Sequence, residues 1–188
     1  SSCHESVNME EVLEKLRLGI CVMIREGSGR KDLEAIAGIK DMPIDFRRLA
    51  LVSDSIDLGY LMEKGYMESI VQRAIDLGFD PIVAIQMATL NPAQHFHLDD
   101  LLGGIAPGKY ADIVIIPDLR TIDAEYVVSN GQVIAHHKEL EVKPRKIKLS
   151  AGGTRDLRVR QSDFKIPAEG KDPVKIRIID QVTEVVTR

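Results

Sequence analysis

Two kinds of hydrophobic pattern alternate along the first hundred residues. Residues 20–24, Ile20 to Ile24, form an uninterrupted apolar run, and residues 48–52, Arg48 followed by the apolar Leu49-Ala-Leu-Val52, give another, ending in Ser53-Asp54. Such runs predict strands buried on both faces. Before, between and after them the spacing is helical: Asn8 with Glu11 has the form of a capping box ahead of Val12, Leu13 and Leu16, with a stop at Gly19. Leu33, Ile36, Ala37 and Ile39 predict a second short helix. Met67, Ile70, Val71, Ala74 and Ile75 predict a third within residues 65–77, and Pro81 opens a fourth that runs to about Thr89. The order strand, helix, strand, helix predicts an α/β fold with a parallel sheet. From Gly103 the pattern changes to short strands and turns, at residues 111–116, 125–128 and 132–135, with Ser129-Asn130-Gly131 as a hairpin turn.

Composition narrows the partners. The 188 residues are 44% hydrophobic and 29% charged with a formal net charge of −4, so nothing points to nucleic acid, and a small-molecule substrate is the better expectation. No run approaches the length of a membrane span. Cys3 and Cys21 make no repeated spacing, so neither a disulfide framework nor a cysteine zinc site is expected, and a reducing cytoplasm is the simpler setting. The basic residues Lys143, Arg145, Lys146 and Lys148 and the pair Gly152-Gly153 read as a solvated linker before a strand-like ending from Ile176. The chain starts at Ser1 without a Met and ends in an apolar run, which reads as an excised or processed piece.

In parallel α/β folds, chemistry gathers at the carboxyl ends of strands. Three such ends carry His4-Glu5, Arg25-Glu26-Gly27-Ser28 and Ser53-Asp54. An imidazole and a carboxylate at different strand ends can share a divalent metal, and a carboxylate beside metal and water can also move a proton. Spacing alone leaves other readings open. His4 can be a surface residue, Asp54 a turn or cap residue, and Arg25 with Glu26 a neutralising surface pair. His95, His97, His136 and His137 lie away from the strand ends and read as structural or solvent-facing.

The residues then resemble a known family. Residues 103–116, with Pro107-Gly108 at the turn and Asp112 opening a strand, are preceded by Ala88-Thr-Leu-Asn-Pro-Ala93 and followed by Val128-Ser-Asn-Gly-Gln-Val-Ile134. Together they resemble the segment where amidohydrolase-superfamily chains leave a (β/α)8 barrel and return to a small β-sandwich. His4-Glu5, Val22-Met-Ile-Arg-Glu-Gly-Ser28 and residues 78–93 are similar to the adenine deaminases of that superfamily.

The resemblance implies that residues 1–102 are the carboxy-terminal portion of the barrel and that residues 103–188 are sandwich and linker. It implies His4 and Asp54 as metal ligands at the sixth and eighth strand ends, with Asp54 also shuttling the proton. The cofactor implied is a pair of divalent ions, manganese, iron or zinc, and the reaction is hydrolysis of adenine to hypoxanthine and ammonia. Glu5 is a candidate acid, and Arg25, Glu26 and Ser28 are candidate substrate contacts. The family's His-x-His pair, bridging carboxylate and further His are expected upstream of Ser1, so the piece alone is expected to be inactive. A homo-oligomer is the expected assembly. The competing expectations are a cyclic amidohydrolase, like dihydroorotases or hydantoinases, and a non-catalytic assembly fragment.

Overall fold

The structure is a computed structural model describing residues 1–143, 158–167, 175–176 and 178–179. The chain divides into two compact units, Ser1–Lys143 and Pro144–Arg188. In the second, Gln161–Phe164 forms one 3-10 turn, where Asp163 Oδ2 accepts from the Arg160 N–H at 2.9 Å. Arg145, Lys146, Lys148, Gly152-Gly153 and the strand-like ending beyond Ile179 lie outside the described residues.

The first unit begins with a parallel sheet in the order β1-β2-β3, from β1 (Ser2–Cys3), β2 (Cys21–Arg25) and β3 (Leu49–Val52). Cys3 pairs with Val22, Val22 with Leu49 and Arg25 with Val52. Side chains alternate across a strand, so Val22, Ile24, Leu49 and Leu51 face one side. These four are at most 3% exposed and join the core. Cys21, Met23, Arg25 and Ala50 face the other.

Helices cover the apolar side. The first, α1 (Met9–Arg17), starts where the sequence predicts: Asn8 Oδ1 accepts from the Glu11 N–H at 3.0 Å, and Glu11 returns through Oε1 to Asn8 Nδ2 at 3.0 Å. Gly19, at φ 74°, turns the chain into β2. Next come α2 (Leu33–Ile36), extended by a 3-10 turn over Ala37–Asp41, and α4 (Met67–Asp76), which buries Ile70, Val71 and Ala74. Asp80 caps α5 (Pro81–Ala88) by accepting from the N–H groups of Ile82 and Val83, with Pro81 in the first turn, where its missing N–H costs nothing.

Two helices are additional to the sequence reading. The seven residues of α3 (Leu58–Lys64) bury no side chain, and Leu58 and Met62 are 74% and 78% exposed, so no apolar face betrays the helix. Asp57 starts it by accepting from the Tyr60 N–H at 2.8 Å. The other, α6 (Leu90–His95), contains Pro92 in its first turn, which reads as a breaker in sequence but is tolerated there. Its Asn91 is 3% exposed and donates Nδ2 to the carbonyls of Phe46 and Leu49, both at 2.8 Å. That clamp fixes the entry to β3.

Residues from 113 onward make an antiparallel sheet of β4 (Ile113–Ile115), β5 (Tyr126–Ser129), β6 (Gln132–His136) and β7 (Glu139–Leu140), in that order. The β5–β6 hairpin closes on Asn130 and Gly131 at φ 49° and 77°, the left-handed pair of a type I′ turn. Asp112 Oδ1 holds the turn by accepting from the Asn130 N–H at 2.7 Å. Gln72 of α4 joins sheet to helices, accepting from the Ile122 N–H at 2.8 Å and donating to the Arg120 carbonyl at 3.0 Å. Among the described residues no helix is long and apolar enough to cross a membrane.

Asn91→Leu keeps the volume but strands the Phe46 and Leu49 carbonyls. A loss of about 2–3 kcal/mol in urea unfolding is expected, and an unchanged midpoint would show that the clamp carries no stability.

Candidate active site at the strand ends

Parallel register puts the carboxyl ends of β1, β2 and β3 at one edge, so His4-Glu5, Arg25 and Asp54 converge there. Arg25 is the hub. Its side chain is 5% exposed; Nη1 donates to Glu5 Oε2 and to Asp54 Oδ2, each at 3.2 Å, and Nε donates to Asp32 Oδ2 at 3.0 Å. His4 Nε2 lies 3.0 Å from Glu5 Oε1. His4 and Asp54 thus end one continuous chain of contacts through Glu5 and Arg25. Burial alone would lower the pKa of the Arg25 guanidinium, but the hydrogen bonds to Asp32 and Asp54 and the charges of Asp32 and Glu5 outweigh it and raise the value. Its Nη2 is buried without a hydrogen-bond partner.

The segment carrying Asp54 is held in an uncommon conformation. Asp54 and Ser55 adopt φ of 46° and 115°, where residues other than glycine are uncommon. Such strain costs about 1–3 kcal/mol per residue and persists only where neighbours impose it. Here the neighbour is the turn after β2. Ser28 donates its N–H to the Ser55 carbonyl at 3.2 Å, and its Oγ accepts from the Asp57 N–H at 2.9 Å. Gly27 lies so close that a Cβ would collide with the carbonyl oxygens of Ser53 and Ser55.

Of the six residues singled out in sequence, four meet at this edge: His4, Glu5, Arg25 and Asp54. Ser28 is engaged with the segment after β3. Glu26 follows Arg25 directly and faces the opposite side, lining a cavity of about 470 Å³ with Lys31, Gln72 and Arg73. Only 6% exposed, it leaves Oε2 unpartnered. Burial pushes its carboxyl pKa up, against a backbone hydrogen bond from Leu33 and the charges of Arg73 and Lys31. Sequence reasoning missed Asp32. It reaches Arg25 because the turn folds back, with the Gly27 N–H donating to the Arg30 carbonyl and the Asp32 N–H to the Arg25 carbonyl. The available signal was Gly27-Ser28-Gly29, a turn composition that returns the chain towards the strand it has just left.

Imidazole nitrogen and carboxylate oxygen suit zinc, iron or manganese, and the His4 and Asp54 side chains are 49% and 40% exposed at the open edge. These are two donors of the right chemistry. Among the described residues no group of three or more His, Cys, Asp or Glu is arranged to hold a metal, so the fit rests on the donor chemistry of this pair.

Gly27→Ala should force the two turns apart, lowering stability by about 2 kcal/mol and parting Arg25 from Asp54 in a crystal structure; a variant with wild-type stability and the 3.2 Å contact retained would refute the close-approach argument. Glu26 gives a pH prediction. A carboxyl whose folded pKa exceeds its unfolded value contributes stability that is intact below the unfolded value and is lost as pH rises through the folded one. Glu26→Gln should therefore be more stable than wild type at pH 7, with the gap closing once pH falls below the ordinary value of 4.5. Denaturation across pH tests the sign.

Residues 3–139 match the Amidohydrolase family. An adenine deaminase of Clostridium botulinum (strain Loch Maree / Type A3) is 36% identical over 187 residues, which is 97% of this chain and 31% of the relative. One from Staphylothermus marinus is 46% identical over 141 residues, 74% of this chain and 23% of the relative. One from Moorella thermoacetica is 37% identical over 187 residues, 96% of this chain and 31% of the relative. The chain spans about a third of the length of the C. botulinum and M. thermoacetica relatives. Among solved structures, a molinate hydrolase is 22% identical with a TM-score of 0.48, over 73% of this chain and 38% of that one. The family match runs through the strand edge that carries His4, Arg25 and Asp54, and the chain belongs to the amidohydrolase family.

Proposed function

We propose that the chain is the carboxy-terminal part of a longer metal-dependent adenine deaminase, with residues 1–102 supplying the last strands of a (β/α)8 barrel and residues 103–188 part of a β-sandwich. The observation that carries the reading is the contact chain His4–Glu5–Arg25–Asp54 at one edge of the parallel sheet. The relatives named adenine deaminase favour a purine over a cyclic amide.

His4 and Asp54 would hold a divalent cation, one of a pair, together with ligands from the rest of the protein; when bound, it supplies an activated water. Asp54 takes the proton that the water loses as its oxygen bonds to the ring carbon bearing the amino group, and returns it to the departing nitrogen. Carbon–nitrogen cleavage then leaves hypoxanthine and ammonia. Glu5, 63% exposed beside His4, donates a proton to the adjacent ring nitrogen when it is itself protonated, and recovers one from the new ring hydroxyl as that hydroxyl becomes the carbonyl of the product. Arg25 fixes Glu5 and Asp54 relative to one another and offers Nη2 to the substrate. Ser28 acts by holding the strained Asp54 turn, and Glu26 by supporting the strand end from behind. Water is kept from the far side of the edge by the core on Val22, Ile24, Leu49 and Leu51.

In the full-length protein, His4→Ala and Asp54→Ala should each lower the bound divalent metal per protomer and reduce ammonia release from adenine by about a hundredfold or more. Metal content and turnover undiminished in both variants would end the assignment. Ring opening of hydantoin by the wild type, with no ammonia from adenine, would move the substrate to the cyclic amides.

A further inference from the structure

Asp32 stands at the N-cap position of α2, where a carboxylate ordinarily accepts from the first free N–H groups of the helix. It makes no such bond. The Asp32 side chain, 13% exposed, turns instead to Arg25 Nε at 3.0 Å and lies 3.6 Å from Arg30 Nε. Its own N–H donates to the Arg25 carbonyl at 3.0 Å. Asp32 therefore grips Arg25 at both backbone and side chain. A guanidinium is planar, so fixing Nε also fixes the directions of Nη1 and Nη2. Nη1 then reaches Glu5 and Asp54 together, and Nη2 is left buried and unpartnered.

We infer that Asp32 is a positioning residue of the site, orienting the Arg25 guanidinium so that Nη1 spans Glu5 and Asp54 while Nη2 is free to donate to an acceptor atom on the substrate. The inference rests on the deaminase reading for what that acceptor is, a ring nitrogen of a purine. The grip on Arg25 does not depend on it. Lysine in place of Arg25 offers one ammonium on a flexible stem and cannot satisfy three carboxylates in fixed directions.

The test uses the full-length protein with D32N, R25K and the double variant, followed by adenine kcat/KM, metal content and a crystal structure of D32N. Each single variant should lose about tenfold or more in kcat/KM, the double variant should lose no more than R25K, and metal content should stay at the wild-type level, because Asp32 acts only through Arg25. Asp32→Glu, which keeps the charge, should recover part of the loss. Losses that multiply in the double variant would overturn the inference, since Asp32 would then act independently of Arg25. So would a D32N crystal structure with Nη1 still bonded to both Glu5 and Asp54. If the wild type releases no ammonia from adenine, the deaminase reading fails separately, and that crystal structure decides the positioning role: a displaced guanidinium supports it and an unmoved one refutes it.

Discussion

A buried guanidinium with nowhere to place its charge would cost several kcal/mol, and the strand-end edge of this protein is organised around preventing that at Arg25. Its carboxylate partners come from three separate stretches of chain: Glu5 after β1, Asp32 before α2 and Asp54 after β3. Each is placed by a different device. The constraint also runs outward, because the same contacts that neutralise Arg25 hold Glu5 and Asp54 at a common nitrogen. The charge of the arginine and the geometry of the edge are one problem with one solution.

The parallel register does the coarse placement. Pairing Cys3 with Val22 and Arg25 with Val52 brings three strand ends to the same height, and the apolar face beneath them prevents a one-residue slip that would turn Val22 and Ile24 outward. Finer placement is made by the turns. The close approach of Gly27 to the Ser53 and Ser55 carbonyls, with the bonds from Ser28, holds Asp54 and Ser55 at positive φ. Strain in such a turn is stable only because the packed core below and the hydrogen bonds beside it over-determine the path.

Much of this was legible in the sequence, for identifiable reasons. The runs at residues 20–24 and 49–52 are apolar because their strands are covered, so the pattern found them, and Asn8, Pro81 and Asn130-Gly131 carry local signals whose geometry is set within a few residues. His4, Glu5, Arg25 and Asp54 were found because strand ends converge in any parallel sheet. What escaped depends on long-range or exposed structure. The α3 helix buries nothing and so has no pattern to read. Asn91 looks like a loop residue beside Pro92, and only the positions of Phe46 and Leu49 make it a clamp. Asp32 is separated from Arg25 by a turn whose return path composition suggests but does not specify.

The neighbours Arg25 and Glu26 show how one strand end serves two layers. Alternation sends Arg25 to the open edge and Glu26 among the helices, where a carboxylate is costly to bury. Glu26 is only 6% exposed with Oε2 unpartnered, and burial pushes its carboxyl pKa up. Asp32, at the start of α2, makes no side-chain cap bond to the helix and gives its carboxylate to the strand's arginine instead. An arrangement of this kind ties the helix layer to the edge, because any shift of α2 relative to β2 would have to break the side-chain and backbone contacts between Asp32 and Arg25 together.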